Sequence, residues 1–189
     1  MNGEARGAGG PGDYARSCVE CLVTGRPLPA CPDEPVYARR SACFVSLKKG
    51  GELRGCIGTL EPAEQDLGAE IARNARSAAF DDPRFPAVRE DELVSLACSV
   101  DVLSPSEPCT IGDLDPRVYG VIVAAGYRRG VLLPDLEGID TAAQQVAVAL
   151  RKAGIRPDEG FTVRRFTVTR YHEGDLPREG DGRRVEVHD

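Results

Sequence analysis

Apolar residues recur at helical spacing from Asp13 onward, at Tyr14, Cys18, Cys21 and Leu22, and Gly25 marks a stop. Asp13 is placed to cap this first helix, and both thiols of Cys18-Val-Glu-Cys21 fall on its apolar stripe. The stretch from Arg26 to Pro35 contains Pro27, Pro29, Pro32 and Pro35 and reads as a rigid loop. A hairpin follows. Ala42 to Leu47 is rich in strand formers, Lys48-Lys49-Gly50-Gly51 is a turn, and Glu52 to Ile57 returns. In the return strand Leu53 and Ile57 point one way, Arg54 and Cys56 the other.

Glu61-Pro62 predicts the start of a second helix, with Leu67, Ile71, Ala75 and Ala78 or Ala79 on its apolar line. The small alanines predict close packing against a sheet. Leu93 to Leu103 reads as a long strand with Leu96, Cys98, Val100 and Val102 on one face, Ser99 and Asp101 on the other. Val118 to Val123 and Tyr127 to Leu133 form a second hairpin around Ala125-Gly126. Asp140 caps a helix that runs to Ala153 and stops at Gly154. In the last strand, Phe161 to Tyr171, the apolar phase changes between Val163 and Phe166, which predicts a β-bulge near Arg164-Arg165. No sequence repeat is visible.

Strands outnumber helices and are joined mainly by hairpins. The expected fold class is α+β, a mostly antiparallel sheet with helices packed on it. Residues 1–12 are Gly-rich and polar and read as a disordered segment, 13–173 as the folded domain, and 174–189 as a loose charged tail.

Composition narrows the function classes. The 189 residues suit one domain of ordinary size, and 41% hydrophobic content suffices for a core. A net charge of −6, with basic residues scattered among 30 carboxylates, argues against a nucleic-acid track. No apolar run approaches the length that spans a bilayer. The N-terminal stretch lacks the apolar region of a signal peptide, so the expected location is the cytoplasm. Seven cysteines is an odd number, which fits reduced thiols better than a secreted disulfide framework. Cys18 and Cys21 have the spacing of a metal pair, but only Cys31 lies near them, and core packing is the preferred reading. No metal and no cofactor motif is expected.

The chemistry concentrates in Leu53-Arg54-Gly55-Cys56-Ile57-Gly58. A thiolate is the reactive form of cysteine, and a cation such as Arg54 beside it favours that form. Gly55 between them lets another group approach closely. Cys56 is the candidate nucleophile and His172 the candidate base, since His188 sits in the expected tail. The plainer readings are that Cys56 packs against the 64–79 helix or touches a ligand without catalysis. Arg54 either makes a surface ion pair or forks onto a carboxylate or phosphate. The stiff stretch Phe80-Asp81-Asp82-Pro83-Arg84-Phe85-Pro86 displays charges that either pair with each other or line a cleft with Arg54. Asn74 could present its amide there. Asp101 reads either as solvent-facing or as a further cleft group, and Gly58 completes the candidate ligand set.

Five stretches resemble the AMMECR1 domain family. They are the hexapeptide, Asn74-Ala75-Arg76-Ser77-Ala78-Ala79-Phe80, Asp82-Pro83-Arg84-Phe85, Val100-Asp101-Val102-Leu103-Ser104-Pro105, and Arg129-Gly130-Val131-Leu132-Leu133-Pro134. The resemblance runs in order from about Tyr14 to Tyr171. It implies an intracellular, two-lobed α+β fold with the hexapeptide near a groove between the lobes. It also implies an association with MEMO-like proteins and a radical-SAM protein, and it supplies no biochemical activity. One departure is visible: Asp135-Leu136-Glu137-Gly138-Ile139 stands where the family usually has a longer, aromatic-containing segment.

Two functions follow as expectations. In the first, the chain is an enzyme component acting on a small acidic ligand or a macromolecule, with Cys56 as nucleophile and Arg54 as anion clamp. In the second, it is a non-catalytic adaptor whose groove holds a peptide or a partner enzyme.

Overall fold

The computed structural model describes residues 9–176. Most of the expected N-terminal segment and of the expected tail lies outside them. In chain order the elements are α1 (Pro11–Val23), β1 (Cys43–Lys49), β2 (Glu52–Gly58), α2 (Leu67–Phe80), β3 (Leu96–Leu103), β4 (Glu107–Pro108), β5 (Gly120–Ala125), β6 (Arg128–Leu132), α3 (Ala142–Ala153), β7 (Thr162–Phe166) and β8 (Val168–His172). They build two four-stranded sheets, ordered β2-β1-β3-β8 and β4-β7-β5-β6. The α+β class holds, with two sheets where the sequence suggested one. Among the described residues, no helix is long and apolar enough to cross a membrane.

The described chain divides into two compact units, one of residues 9–102 and 170–176, the other Leu103–Thr169. Each has its own core. In the first, Val45, Leu47 and Val100 meet Leu67, Ile71 and Ala75, with Ala15, Cys18 and Val19 of α1. In the second, Val121, Val123 and Leu132 meet Val146, Ala149 and Leu150. The expected apolar line of α2 is the buried line observed.

Several boundaries moved for local reasons. Gly10 rather than Asp13 caps α1, because Pro11 supplies a preset φ at the first helical position. Pro11 and Gly12 are buried, so the ordered chain begins before the expected boundary at 13. Asp13 instead accepts from Gly174 N–H at 3.0 Å. The second helix starts at Leu67, not at Glu61-Pro62. Asp66 caps it by accepting from Ala69 N–H at 2.8 Å. The residues before it stay a loop because buried Glu70 holds them, accepting from the Thr59 hydroxyl and from the N–H groups of Ala63 and Glu64. Thr141 caps α3 one residue after the expected Asp140.

The phase change in the last strand does not come from the expected bulge. The segment is two strands: β7 belongs to the second sheet and β8 to the first. Within β7 the pairing with β5 keeps one register from Thr162 to Phe166, so Val163 and Phe166 face opposite sides of that sheet, and Val168 of β8 continues the parity of Phe166.

The two units share a topology that no sequence repeat announces. Each runs hairpin, helix, strand, giving the orders β2-β1-β3 and β6-β5-β7, with one more strand on the far edge. In each, a glycine on the second hairpin strand faces the helix. A Cβ on Gly55 would strike the Ala78 carbonyl oxygen, and one on Gly130 would strike that of Ala149. Gly55 lies opposite Leu47, and Gly130 opposite Val123. Because the obstacle is backbone, it cannot swing aside. Gly55→Ala and Gly130→Ala should each lower the free energy of unfolding by about 1–3 kcal/mol in urea titrations. Gly112→Ala, whose new methyl has its nearest neighbour at 3.8 Å, should change it by less than about 0.5 kcal/mol.

Candidate functional site

The hexapeptide strand β2 lies at one edge of its sheet, so it presents unpaired backbone polar groups to whatever packs beside it. The loop from Asp81 to Glu92 fills that place. The buried Asp82 carboxylate accepts the Cys56 N–H at 2.9 Å, and Arg84 Nη2 donates to the Cys56 carbonyl at 3.2 Å. Asp82 also accepts from Arg84 Nε, Nη2 and backbone N–H at 2.9, 2.7 and 3.1 Å. These donors, the Arg84 guanidinium first, hold the Asp82 carboxyl well below the usual carboxylate range. Asp82 and Arg84 therefore pair with each other, and together they satisfy both outward backbone groups of one residue of the edge strand.

Arg54 is the residue of β2 without an opposite number. Leu53 pairs with Lys48 and Gly55 with Leu47, and the register shifts between them. A bulge at this point re-aims the Arg54 side chain. Its Nε and Nη2 fork onto Glu92 at 3.0 and 2.9 Å, and Nη1 and Nη2 reach the carbonyls of Pro86 and Ala87 at 2.9 and 3.4 Å. The ion pair is largely enclosed, with side-chain exposures of 12% and 13%. Glu92 also accepts from Lys49 Nζ at 3.2 Å and from Arg89 N–H at 3.1 Å. With the Arg54 bonds as the main cause, its pKa falls to about 2. The expected anion clamp is thus an internal tie, because the fork that would hold a ligand already holds Glu92.

The Cys56 side chain lies across from Ser46, not against α2, since the residue facing the helix is Gly55. The thiol is half-buried, and the Ser46 hydroxyl donates to Sγ at 3.2 Å. His172 does not reach it. His172 sits on β8, at the opposite edge of the same sheet, three strand spacings or about 14 Å away. Of the two candidate cleft carboxylates, Asp82 is held at the backbone, and Asp101 is buried in a fork from Arg170 at 2.6 and 2.9 Å. Asp101 is therefore not solvent-facing, and Asn74 does not line a cleft. The Asn74 amide is buried in the core and donates to the Cys43 carbonyl at 2.9 Å. Gly58 is also used internally, since a Cβ there would meet the Phe44 ring.

The structure thus brings together Arg54, Gly55, Cys56, Asp82 and Arg84, and leaves Asn74, Asp101 and His172 elsewhere. Sequence reasoning missed Glu92 and Ser46. Glu92 carries no local signal because its partner lies on another element. Ser46 is hidden because counting pairs back from the Gly50-Gly51 turn, without the bulge, places Val45 opposite Cys56. Among the described residues, no cluster of three His, Cys, Asp or Glu side chains could hold a metal ion. This includes Cys18, Cys21 and Cys31.

A model of the AMMECR1 family matches residues 13–174. The chain is 46% identical over 160 residues to a protein of Clostridium acetobutylicum, covering 83% of this chain and 34% of that relative. It therefore spans about a third of that relative's length. To a protein of Thermotoga maritima it is 52% identical over 147 residues, covering 74% of this chain and 84% of the relative. The crystal structure of an uncharacterised protein from Pyrococcus horikoshii is similar with a TM-score of 0.76 at 28% identity, covering 85% of this chain and 88% of that one.

The Glu92 pair has a definite pH signature. A carboxyl whose folded pKa is depressed contributes stability above its unfolded value, and loses it as pH falls through the folded one. Wild-type stability should therefore decline between pH ~4.5 and the folded value of about 2. In urea titrations across that range, Glu92→Gln should flatten the decline. Arg54→Met should cost about 2–4 kcal/mol at pH 7 by leaving the enclosed Glu92 with only Lys49 and the Arg89 N–H as donors.

Proposed function

We propose that this chain, which belongs to the AMMECR1 family, is a non-catalytic binding domain that works by docking on a partner protein. The observation that carries this reading is how the charges around Cys56 are used. Arg54 is tied to Glu92 and two carbonyls, and Asp82 is tied to Arg84 and the Cys56 N–H. A general base must lie within hydrogen-bond reach of the proton it takes. The partner recorded for the thiol is a serine hydroxyl, which is no base at neutral pH.

The longer Clostridium relative supports the same reading. There the matched stretch is about a third of one chain. Two modules joined covalently meet at a raised effective concentration, an arrangement that suits modules acting together. Partners of the MEMO-like and radical-SAM classes, implied by the family resemblance, are the natural first candidates, acting in one pathway with this chain in the cytoplasm.

A second reading keeps Cys56 as a nucleophile toward a small acidic ligand or a macromolecule. The Cys56 sulfur favours it, because it is half-buried rather than sealed in the core and so remains open to a ligand.

One experiment separates them. The part of the Clostridium relative beyond the matched stretch is expressed alone and titrated calorimetrically with this chain. Saturable binding in the micromolar range or tighter, unchanged by Cys56→Ala, is the expected result. Absence of binding overturns the docking reading. If instead binding persists but Cys56→Ala abolishes the output of the assembled pair, the nucleophile reading takes its place.

A further inference from the structure

A depression of about 470 Å³ lies between α1, the proline-rich loop 26–35 and the outer face of α2, wholly within the first unit. Its size falls in the range of small-molecule sites. We propose that it binds a small organic anion with an apolar body, and this goes beyond the docking reading without depending on it.

The walls are built for such a ligand. Leu22 of α1 and Leu28 and Pro29 of the loop form one side, and Ala69 and Ala72 of α2 form the other. The two alanines keep the helix surface low, so a slot remains where longer side chains would close it. Leu28 is 48% exposed, although four prolines from Pro27 to Pro35 stiffen the loop that carries it. An apolar residue held out by a stiff loop loses little further freedom when a ligand covers it.

Arg73 and Arg76 stand at one end of the slot, on successive turns of α2. Arg73 pairs with Glu64 at 3.1 Å, but both side chains are more than a third exposed. Such a surface pair is worth little and exchanges readily for another carboxylate. The Arg76 guanidinium lies 5.8 Å from the Phe80 ring centroid, a cation–π contact that does not use its N–H groups as hydrogen-bond donors. At the other end lies Asp66, whose carboxylate caps α2. A second negative group is disfavoured there, which orients the ligand. Its anionic head meets Arg73 and Arg76, and its body runs along Ala72 and Ala69 toward the Tyr14 ring and Cys31.

Cys31 is exposed and lines the slot, so it reports occupancy. The probe is 8-anilinonaphthalene-1-sulfonate, an apolar body with one sulfonate, with decanoate as an aliphatic competitor. The full chain should bind the probe saturably, with a rise in fluorescence that decanoate reverses. Arg73→Gln with Arg76→Gln should weaken binding at least about tenfold, because the sulfonate loses both of its charge-assisted contacts. Ala72→Leu should abolish it by filling the slot. In the wild-type chain, saturating probe should slow iodoacetamide alkylation of Cys31, read by peptide mass spectrometry, and leave Cys109 in the second unit unchanged. Binding without Cys31 protection places the probe elsewhere and overturns the site. So does protection by an acidic, Phe-containing peptide but not by either small anion, which would make the slot a peptide groove.

Discussion

An edge strand must satisfy its outward N–H and C=O groups, and in this molecule Cys56 does so with charged side chains of a neighbouring loop. Asp82 takes the N–H and Arg84 reaches the carbonyl, both from a loop that Pro83 and Pro86 stiffen. That contact fixes where the 81–92 loop lies against the sheet. Once the loop is there, the bulged Arg54 finds Glu92, and the Pro86 and Ala87 carbonyls find donors. The most chemically suggestive residues of the chain are thereby drawn into one enclosed electrostatic frame. A desolvated fork of this kind is costly to break, because removing one partner leaves the other charge enclosed.

The second constraint is how closely a helix may approach its sheet. Gly55 and Gly130 remove the one atom that would hold α2 and α3 away. The same hairpin, helix and strand order recurs in both units, and the same small residue is used at the same place. Both glycines follow an arginine, Arg54 and Arg129, but the residues after them differ, so what recurs is mainly packing geometry. The hexapeptide in the first unit and Arg129-Gly130-Val131 in the second are both, at backbone level, seats for a helix.

Function must then be sought where side chains are not already spent. Cys56 retains a half-buried sulfur, while its charged neighbours serve the fold. The outer face of α2 is different: its inner line of Leu67, Ile71, Ala75 and Ala78 builds the core, while Arg73 and Arg76 on the far side face an open apolar slot. One helix thus separates a structural face from a face available for binding.

Period and punctuation in the sequence determined much of this. Helical spacing gave α1 and the buried line of α2, Gly25 and Gly154 gave helix ends, and Gly50-Gly51 gave the first hairpin. These are local signals, set by steric limits on φ and by the geometry of adjacent side chains. The stiff acidic-basic loop was also legible as something more than a connector, and the choice between internal pairing and a cleft was left open. Only the tertiary structure decided that choice, because Glu92 lies 38 positions from Arg54 in sequence and Asp82 lies 26 from Cys56. It also decided the bulge that turns Arg54, the division of the last strand between two sheets, and the separation of His172 from Cys56. Each depends on which segments become neighbours after folding, and a hydrogen bond between distant segments leaves no period in the chain to read.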